Sequence, residues 1–313
     1  MVTAPAQSLP RRRRINATAG LFTLFLAVFT ASPVTMSWDS VLSIYTAVSF
    51  LHGHASELSE FMPIVEKLQR LDYHEGKPYS EYPIGPSLLA APVVGVYLTI
   101  HPQLIDELQE RPAKYLEKFI ASFIGAAAGA VFFWVILSQF DSIPVAISAA
   151  MIFSFCTSMW SLATRALWQH GPLVLMLSVA MLLLTRARRR PGLVQYVGLP
   201  LAMAFLMRPT AGLPIAIISL YVLIRHSAFF LKYLGLAAVI AIPWLAFNWW
   251  VHRSLLPEYY MNGTLSLFSD RSSFWDGLSG TLFSPARGLF MYSPVLFFAL
   301  SGFALALRDR EQR

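Results

Sequence analysis

At 313 residues, 56% hydrophobic and 13% charged, with a mean hydropathy of +0.55, the chain carries more apolar surface than a soluble domain can hide. It reads as an all-α, polytopic transmembrane helical protein. The formal charge of +7 does not point to nucleic acid, because the arginines gather in short clusters beside apolar runs: Arg11, Arg12, Arg13 and Arg14, then Arg186, Arg188, Arg189 and Arg190, then Arg308, Arg310 and Arg313. The lone Cys156 excludes an intrachain disulfide.

Each crossing needs roughly 20 apolar residues, so the sequence predicts about eight spans in one membrane domain, 15–307. Basic tails, 1–14 and 308–313, flank it, and both are expected on the cytoplasmic side of the cell's inner membrane. The first span, 15–33, also has the form of a signal peptide with a cleavage site near Thr30-Ala31-Ser32. It is read as uncleaved, since the later spans already commit the chain to the membrane.

Residues 33–118 are expected to form a long external loop region with in-plane or re-entrant helices. This region concentrates Asp39, Glu57, Glu60, Glu66, Asp72, Glu75 and Glu81 with His52, His54 and His74. Ionisable groups gathered in this way mark a candidate site. After Asp39, Val41, Ile44, Tyr45 and Val48 recur at helical spacing, with Ser40, Ser43 and Ser49 between them. This pattern predicts a short amphipathic helix in the interface plane. Residues 53–82 are polar and irregular, and so belong outside the hydrocarbon. The apolar stretch 84–100 carries Pro86 and Pro92. It is read as re-entrant or in-plane, because a crossing here would put the arginines at 186–190 on the wrong side.

The remaining spans are expected at 119–138, 143–162, 172–184, 193–207, 210–224, 229–250 and 289–307. This threading collects five polar pieces on one face: the first loop, 101–118, 164–171, Arg208-Pro209 and 251–288. Arg165, Arg208, Arg271 and Arg287 then break the positive-inside bias, which makes them the informative cations.

Three stretches carry a resemblance: Trp38-Asp39 after the first apolar span, Tyr82-Pro83-Ile84-Gly85-Pro86 closing the long loop, and Arg165-Ala166-Leu167-Trp168-Gln169-His170-Gly171 further on. Together they resemble the integral-membrane glycosyltransferases of the GT-C fold, which include dolichyl-phosphate-mannose protein mannosyltransferases and bacterial lipid A aminoarabinose transferases. Phe283-Ser284-Pro285-Ala286-Arg287-Gly288-Leu289-Phe290-Met291-Tyr292-Ser293-Pro294 is similar to a stretch in bacterial members of that group. The resemblance implies transfer of a sugar from a polyprenyl-phosphate donor to a cell-envelope acceptor at the outer face of the membrane, usually with inversion. The group's acid at the outer end of the first span falls on Asp39. Many members have a second acid close by, whereas the neighbours here are Trp38 and Ser40, so Glu57, Glu60 and Glu81 stay open as contributors. Members usually continue for several spans beyond the position of Arg313, which reads this chain as a short variant or a truncated frame.

An acceptor hydroxyl attacking an anomeric carbon needs a base, and a lipid phosphate leaves without help from an acid. One carboxylate plus cations on the phosphate suffices, unlike the paired carboxyls of a glycosidase. Asp39 is the candidate base, although an Asp before a helix also reads as an N-cap. Lys77, Arg165, Arg208, Arg271 and Arg287 are candidates for holding the phosphate, or else they snorkel to membrane lipid headgroups. Glu57, Glu60, Tyr79, Glu81, Tyr82, Trp168 and His170 are candidate substrate-binding residues, the aromatics alternatively being interfacial anchors. No cofactor is assigned. A divalent metal on His52, His54, His74 or His170 with Glu57, Glu75 or Glu81 stays open, although none has a recognised ligand spacing. Asn262-Gly263-Thr264 matches a glycosylation sequon and is discounted. The rival readings are a carrier or flippase of lipid-linked sugars and a non-catalytic assembly subunit. A transporter should place ionisable residues near the midplane of paired spans, whereas here they crowd one face.

Overall fold

The computed structural model describes residues 11–35, 38–68, 71–257, 259–261, 271–286 and 288–308, with the side chains of 271–273 excepted. Arg287 and the 262–264 sequon lie outside the described residues, as does the side chain of Arg271. The described chain is mostly helical, with a single two-stranded sheet among these residues.

Helix α1 (Arg11–Ala31) and helix α6 (Lys114–Phe140) form an antiparallel pair. Arg14 Nη2 reaches Asp141 Oδ1 at 3.0 Å at one end, while Ser40 Oγ donates to Glu117 at the other. The 27 residues of α6 separate these ends by about 40 Å. Between them Phe25, Phe29 and Phe133 are fully buried, joined by Ala146 and Ala150 of α7 (Ile143–Phe155). Helix α8 (His170–Ala187) then runs from the Glu117 end to the arginine end. After a 3₁₀ stretch, Pro191–Val197, α9 (Gly198–Met207) returns. Helix α10 (Gly212–Arg225) and helix α11 (Ser227–His252) follow, and α11 packs on α9. Helices α12 (Arg271–Phe283), α13 (Leu289–Tyr292) and α14 (Leu296–Arg308) complete the described chain.

Helices α1, α6, α8 and α11 are long and apolar enough to cross a membrane, and a bent helix pair makes a fifth candidate. Leu213, Ile217, Leu220 and Ile224 on α10, with Leu231, Val239 and Ile242 on α11, are exposed large side chains. Continuous apolar surface of this kind suits lipid better than water. The expected span at 143–162 is broken: the α-helix ends at Phe155 and a π-turn, Met159–Ala163, follows.

The polar segment between α1 and α6 folds into a cap on one end of the bundle. Helix α2 (Ser43–Leu51) is its centre. The sequence pattern predicts an amphipathic helix in the interface plane, but Ser49, like Ser40 just before the helix, is as buried as Ile44, Tyr45 and Val48. Polar groups can be buried when they are bonded, and Ser49 Oγ donates to the Glu57 carbonyl at 2.6 Å. Tyr45 meets Phe61 edge-on at 5.1 Å. Around them pack Leu58, Val65, Ala90, Val94, Leu104, Leu108, Ile120 and Leu167.

The stretch 53–82, expected to be irregular, contains helix α3 (Ile64–Leu68) and a β-hairpin of β1 (Leu71–His74) and β2 (Lys77–Ser80). His74 pairs with Lys77, leaving Glu75-Gly76 as a two-residue turn with φ of 51° and 78°. Positive φ at both turn residues matches the twist of the strands, and glycine adopts it without strain. Helix α4 (Gly85–Ile100) and helix α5 (Leu104–Glu110) then meet at 109°. A 109° bend within so few residues is the geometry of a broken span or of a re-entrant loop.

Candidate active site

Local sequence explains how each wall of the site is formed. Helix α9 stops at Met207 because Pro209 forces the residue before it out of the helical region. Arg208 is accordingly extended, with φ −160° and ψ 134°, and stands off the helix end. Tyr82 likewise precedes Pro83, and Pro86 sits in the first turn of α4, where its missing N–H costs nothing. A side chain on Gly85 would put its Cβ 2.5 Å from the Leu206 carbonyl, so this glycine lets α4 touch the end of α9. Gly171 does the same for α8: a Cβ there would lie 2.8 Å from the Ala163 carbonyl.

These contacts enclose a cleft of about 450 Å³, counting its open mouth, lined by Asp39, Ser43, Tyr82, Leu167, Trp168, His170, Arg208 and Tyr259 among others. Asp39 is exposed in the turn before α2. The cap position of α2 is Leu42, with no side-chain cap bond, so the N-cap reading of Asp39 does not hold. Arg208 Nη1 lies 2.7 Å from His170 Nδ1 and 3.3 Å from Nε2. A guanidinium has only donors, so the ring nitrogen it contacts carries a lone pair and His170 acts as the acceptor. Trp168 stacks obliquely near His170, ring centres 5.9 Å apart, and its indole Nε1 is buried with no hydrogen-bond partner. Gln169 donates to the Tyr259 hydroxyl at 3.2 Å, and the Tyr82 and Tyr259 rings meet at 5.6 Å. Burial raises the Tyr82 hydroxyl well above its ordinary value, and the nearby carboxylates of Asp39 and Glu81 add to this. Tyr82 therefore stays a donor at any physiological pH.

No family model, curated protein or solved structure matches this chain.

Of the candidates read from the sequence, Asp39, Tyr82, Trp168, His170 and Arg208 share this cleft. Glu81 acts on the Tyr82 hydroxyl from a neighbouring cavity that also holds Tyr79. Lys77 is not brought to the cleft. It pairs with Glu57 at 2.7 Å, and this bond, helped by Ser59, holds the Glu57 carboxyl below its usual range. Glu60 lies with His52 and His54, its Oε2 3.1 Å and 3.4 Å from their Nδ1 atoms. Both acids are thus engaged within their own loop. Arg165 is turned onto Trp160, with its Nε 3.0 Å from the carbonyl oxygen and its guanidinium 5.0 Å from the ring centre. It does not line the cleft.

The sequence reading missed Glu117. It falls in the polar piece 101–118 of that reading, but it is a buried residue at the start of α6. Its Oε1 accepts from Ser40 Oγ, next to Asp39, and from the Leu167 amide at 3.0 Å, next to Trp168. One carboxylate therefore ties together the two segments that supply most of the cleft. The available signal was an acid at the mouth of a long apolar helix, which is also a favourable place for an acid near the helix dipole. The second reason hides the first.

Proposed function

We propose that this chain is a membrane glycosyltransferase of the GT-C kind, using a polyprenyl-phosphate-linked sugar as donor. In this reading the chain spans the cytoplasmic membrane about eight times, with both termini inside and the Asp39 cleft at the outer face. Asp39 is the general base. It takes the proton of the acceptor hydroxyl as that oxygen bonds to the anomeric carbon, the bond from that carbon to the phosphate oxygen breaks, and the lipid phosphate leaves with the electron pair. Attack opposite the leaving group inverts the anomeric centre. Arg208 holds the phosphate, oriented by His170, and the Trp168 indole N–H is a second donor for it.

The observation that carries this reading is that Asp39 and Arg208, from opposite halves of the described chain, line one cleft. A carboxylate, a guanidinium held by a neutral acceptor and a buried donor without a partner are what base-assisted displacement of a phosphate needs. The test is to incubate the purified protein with a panel of polyprenyl-phosphate sugars and follow the release of free lipid phosphate. Release with at least one donor, lost in Asp39→Asn, is expected. A carrier would move the lipid-linked sugar across a vesicle membrane without releasing lipid phosphate, and that outcome would replace this reading.

A further inference from the structure

Outside the cleft, the hairpin and the end of α11 bring three metal-ligating side chains together. Asp72 and His74 are two residues apart on β1, so both side chains leave the same face of the strand. His252 is the last residue of α11, and Arg253 after it is left-handed, with φ 52°, which turns the chain away. Arg253 also reaches Glu75 in the hairpin turn at 3.1 Å. Asp72 Oδ2 lies 2.8 Å from His74 Nε2 and 3.9 Å from His252 Nδ1, and the three ligating atoms all fall within 4.8 Å of one another. The two imidazole rings meet edge to face at 4.5 Å.

One atom makes this more than a hydrogen-bonded pair. The His252 side chain is only 7% exposed, and its Nδ1 is fully buried without a hydrogen-bond partner. The His74–Asp72 contact accounts for two of the three groups and leaves that nitrogen unmet. Buried polar atoms are nearly always satisfied. A second cluster, His52, His54 and Glu60, also has ligand-type residues within reach, but both of its histidines are exposed and already contact the carboxylate.

We propose that Asp72, His74 and His252 bind a divalent metal ion of the zinc type. Two neutral imidazoles and one carboxylate form a mixed nitrogen and oxygen set that suits Zn²⁺. With bonds of about 2.0–2.1 Å, ligand atoms in a tetrahedral site stand about 3.3 Å apart. The two separations from the Asp72 carboxylate oxygen, 2.8 Å and 3.9 Å, bracket that value. Entry of the metal releases the proton that His74 Nε2 shares with Asp72. Asp72 and His252 also line a narrow pocket with Tyr79, Glu81, Tyr82, Trp244 and Asn248, and a water or a ligand oxygen completes the four-coordinate set. The ion clamps the hairpin onto the end of α11. This inference does not rest on the transferase reading.

The test uses the full chain in detergent, stripped with a chelator and titrated with Co²⁺ alone. One Co²⁺ per chain is expected, with the intense visible bands of a four-coordinate nitrogen and oxygen site, bleached on adding Zn²⁺. His252→Gln and Asp72→Asn should each weaken binding by more than about 100-fold, beyond the loss typical of a residue that only orients a ligand. The double variant His52→Gln, His54→Gln should bind as the unaltered chain does. Thermal unfolding separates loss of the site from misfolding: without metal both single variants should melt with the stripped chain, and only the unaltered chain should gain from Zn²⁺. Failure of the unaltered chain to bind cobalt, an unchanged spectrum in His252→Gln, or a spectrum lost in the His52 and His54 double variant would each overturn the assignment.

Discussion

At the arginine end of the bundle, Arg14, Asp141, Arg186, Arg189 and Arg190 surround a cavity of about 960 Å³. At the cap end, Asp39, His170 and Arg208 line a cleft half that size. The arginine end holds more charge and more space, yet its one acid and two of its cations are already engaged. Arg14 is held by Asp141, and Arg186 lies 5.2 Å from the Trp134 ring centre. Arg14 Nε is buried without a partner, but the same guanidinium is already engaged through Nη2. The remaining cations there are of one sign and suit lipid headgroups. The cap end gathers acid, cation, imidazole and indole from three separate segments, and it leaves Trp168 Nε1 and His252 Nδ1 buried and unmet. A cluster of charge in a membrane protein marks orientation, whereas convergence of unlike groups around unmet donors and acceptors marks a site.

The largest expected effect tests that distinction directly. Asp39→Asn should lower turnover by about 10²–10⁴-fold, the usual contribution of a positioned base, with membrane insertion intact. Asp141→Asn breaks an ion pair at the other end and should leave turnover nearly unchanged. Equal losses from the two would erase the difference between the ends. Next, Arg208→Ala should raise KM for the lipid donor by roughly 10–100-fold, corresponding to the ~1.5–3 kcal/mol of a hydrogen bond to a charged group. Arg208→Lys should recover only part of this, because lysine keeps the charge but lacks the planar fork. Donor titrations of the two variants check this, and full recovery by lysine would reduce Arg208 to a point charge.

Smaller effects sharpen the comparison within the cap. Glu117→Leu strands the Leu167 amide and should cost about 1–3 kcal/mol of stability, read from unfolding in detergent. Stability equal to the unaltered chain would mean that the two segments need no tie. The smallest effect belongs to the exposed Glu57–Lys77 pair. Lys77 and Ser59 hold the Glu57 carboxyl below its ordinary 4.5. Its contribution is therefore complete above that pH and fades as the pH falls through the lower folded-state value. The protection factors of the hairpin amides, corrected for intrinsic exchange, should fall on acidification across that window, and Glu57→Gln should flatten the dependence. The change should be slight, as for most surface ion pairs.

Much of this molecule follows from local sequence. Apolar runs and a 3.6-residue period settle which segments are helices. Pro209 after Arg208 and the Tyr82-Pro83-Ile84-Gly85-Pro86 run decide where α9 ends and α4 begins, because proline and glycine act on their own backbone. Glu75-Gly76 between alternating residues was a readable hairpin signal, obscured by the polarity around it. Asp39, Tyr82, Trp168, His170 and Arg208 were nameable as candidates from residue type and expected side, but so were Lys77, Glu57 and Glu60, which neutralise one another locally or with nearby histidines.

Only the tertiary structure separated those groups. The contacts that do so join Ser40 to Glu117, His170 to Arg208, Gln169 to Tyr259 and Asp72 to His252. Each depends on how distant helices cross and how closely Gly85 and Gly171 let them approach. Hydropathy and periodicity describe a residue's neighbours along the chain and carry no information about crossing angles. The helices and their ends were therefore a property of the sequence read locally, and the partners of its charges a property of the packing.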